Sequence, residues 1–186
     1  MMDPSLVLAL LSGVAIAAAC GLRAFLPLFV LGLAARADWL TLQPAVAWLG
    51  SDHALWALGT ATVIEIAGDK IPVVDHALDV IGTALRPIAA WLGAYAVLGA
   101  WPTPWAQIAA LGLGTSALLV HGLKAKLRLG STALTLGHAN PLVSFAEDLL
   151  ALVSLAIALL LPIAALVLIA VLVMLVLRRR RAPVAG

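Results

Sequence analysis

Apolar residues follow one another along this chain in long runs, with few polar positions between them. The runs fall at about 5–34, 54–68, 77–99, 105–123, 141–161 and 162–177. A helix of about 20 apolar residues is long enough to cross the hydrocarbon core of a bilayer. The pattern predicts an all-α, polytopic membrane protein with about six transmembrane segments, or five if 141–177 forms one helix kinked at Pro162.

The first apolar run is irregular. It is about 30 residues long, or roughly 45 Å at helical rise, which exceeds the thickness of a bilayer core. Arg23 and Pro27 interrupt it. We therefore expect a first helix followed by a broken or re-entrant half. Discontinuous helices in membranes usually line cavities, because their free backbone groups need protein or water as partners.

Polar and turn-forming residues mark the boundaries of the later segments. Ser51 or Asp52 can cap the second segment, and the stretch AWPTPW breaks the chain between the third and the fourth. Asn140 followed by Pro141 is typical of a helix start, with a capping residue before a proline at the first helical position. Trp101 and Trp105 lie where interfacial aromatic residues are expected.

Composition agrees with this pattern. Hydrophobic residues make up 64% of the chain and charged residues only 11%, against about a quarter charged in a soluble domain. We predict a single integral membrane domain over 1–177 and a basic tail over 178–186. No stretch is long and polar enough to form a separate soluble domain, and a single cysteine excludes an internal disulfide.

The basic residues predict a topology. Arg178–Arg181 follow an apolar segment directly, and Lys124, Lys126 and Arg128 follow the fourth segment. Such clusters normally stay in the cytoplasm, which with six crossings places both termini there. The arginine run can contact anionic lipid head groups, and it is too short and too close to a membrane segment to indicate nucleic-acid binding.

A weak internal similarity accompanies the topology. GLRAF at 21–25 is similar to GLKAK at 122–126, and RPIAAW at 86–91 is similar to LPIAAL at 161–166. With six crossings, the first pair lies in segments that run in opposite directions. That arrangement would suit an inverted repeat, which is common in transporters.

The main polar exception is EIAGDKIPVVDHALD at 65–79, which lies between apolar runs. It contains four of the nine acids of the chain, Glu65, Asp69, Asp75 and Asp79. A charge at the bilayer centre costs about 2.5–3.5 kcal/mol on insertion scales, so these acids need charge partners or a functional role. Part of the cluster can also be interpreted as a solvated loop followed by a helix cap.

A second polar group lies at the start of the fifth segment, and it consists of Asn140, Ser144, Glu147 and Asp148. In the predicted topology it faces the same side of the membrane as Glu65–Asp79. We expect the two groups to converge on one site for a hard cation or for protons. The members of that site would be Glu65, Asp69, Asp79, Glu147, Asp148, Asn140 and Ser144.

The expected charge partners of this site are Arg23, Lys70, Arg86, Asp75 and His76. Asp79 and Arg86 are seven residues apart on one helix face, which we expect to be too far for contact within the helix. His121 is predicted to be interfacial. No catalytic residue is predicted, and no cofactor other than a bound cation is expected. The usual hydrolase and nucleotide-binding motifs are missing from the sequence.

These residues resemble a known family. The matching motifs are GLRAFLP, E-x3-DKIP-x2-D-x3-D, the RP that follows, and NP-x2-S-x2-ED, over roughly residues 8 to 165. They resemble an uncharacterised bacterial multi-pass membrane family catalogued as domain of unknown function 4126. The resemblance implies a multi-helix fold in the bacterial inner membrane and little more, because the family brings no established activity. The residues that carry it are Gly21, Arg23, Pro27, Glu65, Asp69, Lys70, Pro72, Asp75, His76, Asp79, Arg86, Pro87, Asn140, Pro141, Ser144, Glu147 and Asp148.

Three functions compete at this stage. The first is a small transporter or channel with an acidic intramembrane site. The second is a structural or accessory subunit that packs against a membrane partner or another copy of itself. The third is a metal-dependent enzyme acting on lipid head groups, suggested by the spacing of Asp75, Asp79, Gly82 and Arg86. That spacing departs from the CDP-alcohol phosphotransferase motif, because the acids are four apart rather than three and no second pair follows.

Overall fold

The computed structural model describes residues 3–70, 72–135 and 141–160, without the side chains at 72, 73, 75 and 76. These ranges contain helices and no strand. The helices are α1 (Pro4–Leu22), α2 (Phe25–Arg36), a short 3₁₀ helix (Pro44–Gly50), α3 (Asp52–Gly68), α4 (Pro72–Val97), α5 (Thr103–Thr135) and α6 (Pro141–Leu160). Several predictions concern features outside the described residues. They are the choice between one and two helices over 141–177, the basic tail, the cap at Asn140, and the side chains of Asp75 and His76.

Within the described ranges, four helices are long and apolar enough to cross a membrane, namely α1, α4 from Ala77, α5 and α6. The chain is therefore an all-α polytopic membrane protein, as predicted. One local boundary signal is confirmed as well. The Ser51 side chain accepts a hydrogen bond from the Ala54 amide at the start of α3.

The first apolar run forms two helices that reverse direction at Arg23. At one end of the bundle, the Trp101 indole donates a hydrogen bond to the Leu6 carbonyl (2.9 Å), so α1 begins beside the start of α5. At the other end, Lys124 Nζ lies 3.3 Å from the Leu22 carbonyl oxygen. Helix α2 then runs back, since Gln43 in the chain that follows it donates hydrogen bonds to the Ala96 and Leu98 carbonyls, just before Trp101. The expected break at Arg23 is therefore present, while Pro27 lies inside the first turn of α2.

This reversal corrects the predicted topology. We call the end with Leu22 and Lys124 the charged end, and the end with Leu6 and Trp101 the tryptophan end. Since α1 and α5 run parallel, the start of α1 and the end of α5 lie at opposite ends. A cytoplasmic amino terminus and a cytoplasmic loop after α5 are thus incompatible. GLKAK lies within α5, whereas GLRAF spans the end of α1, which is parallel to α5, and the break that follows, so this pair does not form the antiparallel arrangement of an inverted repeat.

Aromatic residues distinguish the tryptophan end. Trp39, Trp56, Trp105 and Trp48 lie there, with 82%, 78%, 62% and 51% of their surface exposed. Exposed tryptophans at one level of a helical bundle are typical of the boundary between membrane and water, where the amphipathic ring sits among lipid head groups. The prediction of interfacial tryptophans after α4 agrees with the exposure of Trp105.

Small residues allow α1, α4 and α5 to pack closely. A Cβ atom added at Gly114 of α5 would lie 2.8 Å from the Pro87 carbonyl oxygen of α4 and 3.0 Å from Trp91 Cβ. A Cβ atom at Gly21 of α1 would lie 2.6 Å from Val120 Cβ of α5. Close approach through glycine is a common way for membrane helices to gain packing energy, because lipid offers no hydrophobic driving force between them.

We expect Gly114→Ala to lower the free energy of unfolding by about 1–3 kcal/mol, because the methyl group would push α5 away from the α4 backbone. Gly112→Ala is the matched control on the same helix, since nothing lies within 4 Å of its added Cβ. It should be neutral or stabilising by up to about 1 kcal/mol. Thermal unfolding in detergent would compare the two variants, and equal shifts would contradict the close α4–α5 contact.

Candidate functional site

Four helical segments bring charged side chains together at the charged end. The ends of α1 and α3, the last part of α5 and the first turns of α6 each contribute, and α2 begins there. We call this set the charged network, and its members are Arg23, Glu65, Asp69, Lys124, Arg128, Ser144, Glu147 and Asp148. All of them except Asp148 are buried, and the Asp148 side chain is only 18% exposed.

Two members of the network, Glu65 and Lys124, bind the backbone at the break between α1 and α2. The Glu65 carboxylate accepts hydrogen bonds from the backbone amides of Ala24 (2.8 Å) and Phe25 (3.2 Å). Lys124 donates to the Leu22 carbonyl at the end of α1. The first amides and the last carbonyls of a helix have no partner within the helix. The acid Glu65 therefore complements the start of α2, and the base Lys124 complements the end of α1. Glu65 thus positions α2, in addition to the ion-site role predicted for it.

Arg23 lies at the break and is fully buried. Its guanidinium forms an ion pair with Asp69, and Nη2 lies 2.6 Å from Asp148 Oδ1. Nη2 also donates to the Ser144 hydroxyl at 3.2 Å. One arginine therefore joins the end of α3 to two successive turns of α6.

Asp69 lies at the centre of the network, just after α3 and outside the four membrane-spanning helices. Arg128 Nη2 is 2.9 Å from its Oδ2, and Lys124 Nζ is 3.8 Å away. Burial on its own would raise the pKa of the Asp69 carboxyl, but its three cationic neighbours outweigh burial and hold the pKa below its usual value. Asp69 is therefore a carboxylate that stays charged.

Glu147 completes the network on α6. Arg128 donates to it twice, from Nε to Oε1 (3.2 Å) and from Nη2 to Oε2 (2.8 Å). This is the two-pronged geometry in which an arginine binds a carboxylate most strongly. Lys124 Nζ lies 3.2 Å from the same Oε2. Helices α5 and α6 are thus held together by a buried pair with a third charge beside it.

A second cluster lies between α4 and α5 and contains Asp79, Thr83, Arg86 and His121. Arg86 Nη2 lies 3.5 Å from Asp79 Oδ1, so the expectation that these residues are too far apart is wrong. The long arginine side chain leans back along the helix, and it passes over Gly82, where an added Cβ would lie 2.7 Å from Nη1. The missing side chain at Gly82 makes the contact possible.

His121 is buried in this cluster and not interfacial as predicted. Arg86 contacts both ring nitrogens, with Nη1 3.2 Å from Nε2 and closer to Nδ1. The Thr83 hydroxyl is 3.2 Å from Nε2. Because a guanidinium can only donate, the ring must accept a hydrogen bond from Arg86.

Sequence reasoning missed four members of the two clusters, Thr83 on α4 and His121, Lys124 and Arg128 on α5. The three on α5 are spaced three and four residues apart, so they occupy one face of the helix and all point into the bundle. Lys124 and Arg128 had been interpreted only as topology markers. Their regular spacing with His121 was the signal that could have identified them as part of a site.

Several predicted site residues lie elsewhere. Lys70 is exposed, and its ammonium donates to the Ile66 carbonyl at 3.2 Å. Asp79 belongs to the second cluster, where Arg86 contacts it. Among the described residues, no three acidic, histidine or cysteine side chains are arranged to hold a metal ion. The polar groups at 65–69 and 144–148 nevertheless lie together, as expected. The basic side chains of Arg23, Lys124 and Arg128 join them.

Comparison with known proteins gives one match. A family model described as Domain of unknown function (DUF4126) matches residues 10–181, which is most of the chain. The match extends through the arginine run, whereas the sequence motifs covered only about 8 to 165. Neither a curated protein nor a solved structure matches the chain.

Proposed function

Because the chain belongs to the family described as Domain of unknown function (DUF4126), whose description names no activity, we propose a function from the site: a small transporter whose buried acids handle protons. The observation that carries this proposal is the charged network itself. Ionisable side chains are costly at membrane depth and commonly mark ion or proton pathways there. A discontinuous α1–α2 pair at the same place is also typical of transporters.

Protons suit this network better than a metal cation does. Asp69 faces three basic side chains, and Glu147 faces two. A cation placed in the network would meet the three basic side chains of Arg23, Lys124 and Arg128 as well as the acids. A proton can instead neutralise one carboxylate and release its basic partner, so that helices joined by the ion pair can separate.

The acids of α6 are the best candidates for exchange of protons. Opposite charges nearby favour the ionised form of a carboxylate. In the charged network Asp69 has three such neighbours, whereas Asp148 pairs with Arg23 and is also the most exposed acid of the network. Protonation of Asp148 would free Arg23 from α6. We therefore assign the exchange of protons to Asp148 and Glu147, with Asp69 as the permanent countercharge.

Ion flux in proteoliposomes tests the proposal. The protein would be reconstituted in vesicles that contain an indicator matched to the ion, a pH-sensitive dye for H⁺ and an ion-selective dye for each metal ion, and gradients of H⁺, Na⁺, K⁺, Mg²⁺ and Ca²⁺ would be imposed in turn. We expect a proton flux that falls about tenfold or more in Glu147→Gln and Asp148→Asn, equivalent to about 1.4 kcal/mol or more. Asp52→Asn is the control, because Asp52 is an exposed acid at the tryptophan end. Wild-type flux should survive that change.

A structural or accessory subunit is the second candidate. The observation in its favour is that Asp69, Glu147 and Asp148 all have basic partners within the chain, so the network could serve only to hold the bundle together. Folded wild-type protein that carries none of the five ions would refute ion transport and favour this candidate. A Na⁺, K⁺, Mg²⁺ or Ca²⁺ flux without proton flux would refute the assignment of protons alone.

We further propose that the charged end faces the cytoplasm of a bacterial inner membrane. Lys70, Lys124 and Lys126 lie toward this end, and basic loops normally stay inside. The only native cysteine, Cys20, is buried, so an introduced thiol can be followed without background. We expect Lys126→Cys to react with a membrane-impermeant maleimide in inverted vesicles and not in intact cells. Labelling in intact cells would contradict this orientation.

A further inference from the structure

A cavity of about 590 Å³ lies between α1, α4, α6, the end of α2 and the chain that follows it, toward the tryptophan end. It is separate from the charged network, which lies at the opposite end of the bundle. Its wall is mostly apolar, with Leu8, Ala34, Leu40, Val97 and Leu159 among the lining residues. Cavities that bind small molecules typically measure about 300–1,000 Å³, so this one is large enough for a ligand.

The two serine hydroxyls of the cavity wall already donate hydrogen bonds within the protein. The Ser12 hydroxyl donates to the Ala158 carbonyl of α6 at 2.8 Å, and the Ser5 hydroxyl donates to the Asp3 carboxylate at 2.8 Å. Neither serine therefore has a hydrogen left for a ligand. A polar molecule would lose its hydration without gaining these donors, which is unfavourable, whereas an apolar chain loses nothing.

The mouth of the cavity is exposed and carries a tryptophan. Trp39, Ala156 and Leu160 line it and are exposed, and Trp39 has 82% of its surface accessible. An exposed tryptophan beside an apolar cavity provides a boundary between an apolar interior and a polar surface, because its ring is amphipathic. A ligand with an apolar chain and a polar head would suit this arrangement.

We propose that this cavity binds one acyl chain of a bilayer lipid, with the lipid head group near Trp39. The lining supplies an apolar surface and the volume supplies the space. The membrane supplies the ligand, since the cavity opens at the level of the exposed tryptophans. The proposal is independent of the function assigned to the charged network.

Photolabelling tests the site. The full-length protein would be placed in phosphatidylcholine vesicles that contain a phosphatidylcholine with a photoactivatable diazirine at the end of one acyl chain. Labelled positions would be mapped by mass spectrometry. We expect label on the cavity face of α1, at Leu8 and Ala9, and on Leu159 of α6. Filling the mouth with Ala156→Phe should reduce labelling of α1 about tenfold.

The neighbouring substitution Ile157→Phe is the matched control, because Ile157 is half-exposed and does not line the cavity. It should leave the labelling unchanged. Ala9→Phe fills the cavity from the opposite wall and should act like Ala156→Phe, so a folding defect in one variant does not decide the result. Label confined to the outward-facing Leu11 and Val14, or unchanged by both filling variants, would show only surface lipid and overturn the proposal.

Discussion

Replacing Arg23 with alanine is expected to lower the free energy of unfolding by about 3–5 kcal/mol, the usual cost of removing one partner from a buried ion pair. Arg23 is fully buried and contacts both Asp69 and Asp148. Asp69 would keep Lys124 and Arg128 as neighbours, but Asp148 would lose the basic partner that joins it to α1. The cost comes from leaving an acid in a poorly hydrated place.

Reversible unfolding in mixed micelles, followed by circular dichroism, would measure this change. Arg36→Ala is the matched control, because Arg36 also pairs with an acid, Asp52, at 2.6 Å, but both side chains are at least half exposed. Exposed pairs contribute about 0–1 kcal/mol, so this variant should differ little from the wild type. A loss below about 1 kcal/mol for Arg23→Ala would show that the network does not hold the bundle together.

The second large effect concerns the pair of Arg128 and Glu147. Arg128→Met and Glu147→Leu should each destabilise the protein by about 3–5 kcal/mol, since each leaves a buried charge without its bidentate partner. The double variant should be much closer to the wild type, because an apolar pair of similar size needs no compensation. The loss in the double variant should therefore be smaller than either single loss and far below their sum. Additive single effects would contradict a direct α5–α6 link.

The same double variant separates stability from transport. If the charged network handles protons, the double variant should fold and still lack proton flux, because Glu147 no longer carries a carboxylate. If the network only holds α5 and α6 together, replacing the pair by apolar side chains should leave any activity intact. One protein thus distinguishes the proposed function from the structural alternative.

The sequence predicted the fold class and several boundaries because these depend on local signals. Apolar run length predicts membrane helices, and the cap at Ser51 acts within one turn. The convergence of 65–69 with 144–148 could also be predicted, because charges in an apolar chain need partners. Which partners they find depends on tertiary packing, and Lys124 and Arg128 were therefore missed.

The reversal at Arg23 could not be predicted from hydropathy. Two short apolar helices joined by one polar residue have the same hydropathy profile as a single long helix with an interruption. The difference lies in how the break is satisfied, by Glu65 on the amides of Ala24 and Phe25 and by Lys124 on the Leu22 carbonyl. These contacts join distant parts of the sequence. The predicted topology was wrong because hydropathy along the chain does not report such contacts.

The wide spacing of the network along the chain has a consequence for biogenesis. Arg23 is synthesised 46 residues before Asp69 and 121 residues before Ser144. Chains emerge from the ribosome with the amino terminus first, so this arginine enters the bilayer without its acids. Its neutralisation is complete only when α6 has been made. A chain that stops before α6 therefore keeps basic side chains that lack the acids Glu147 and Asp148.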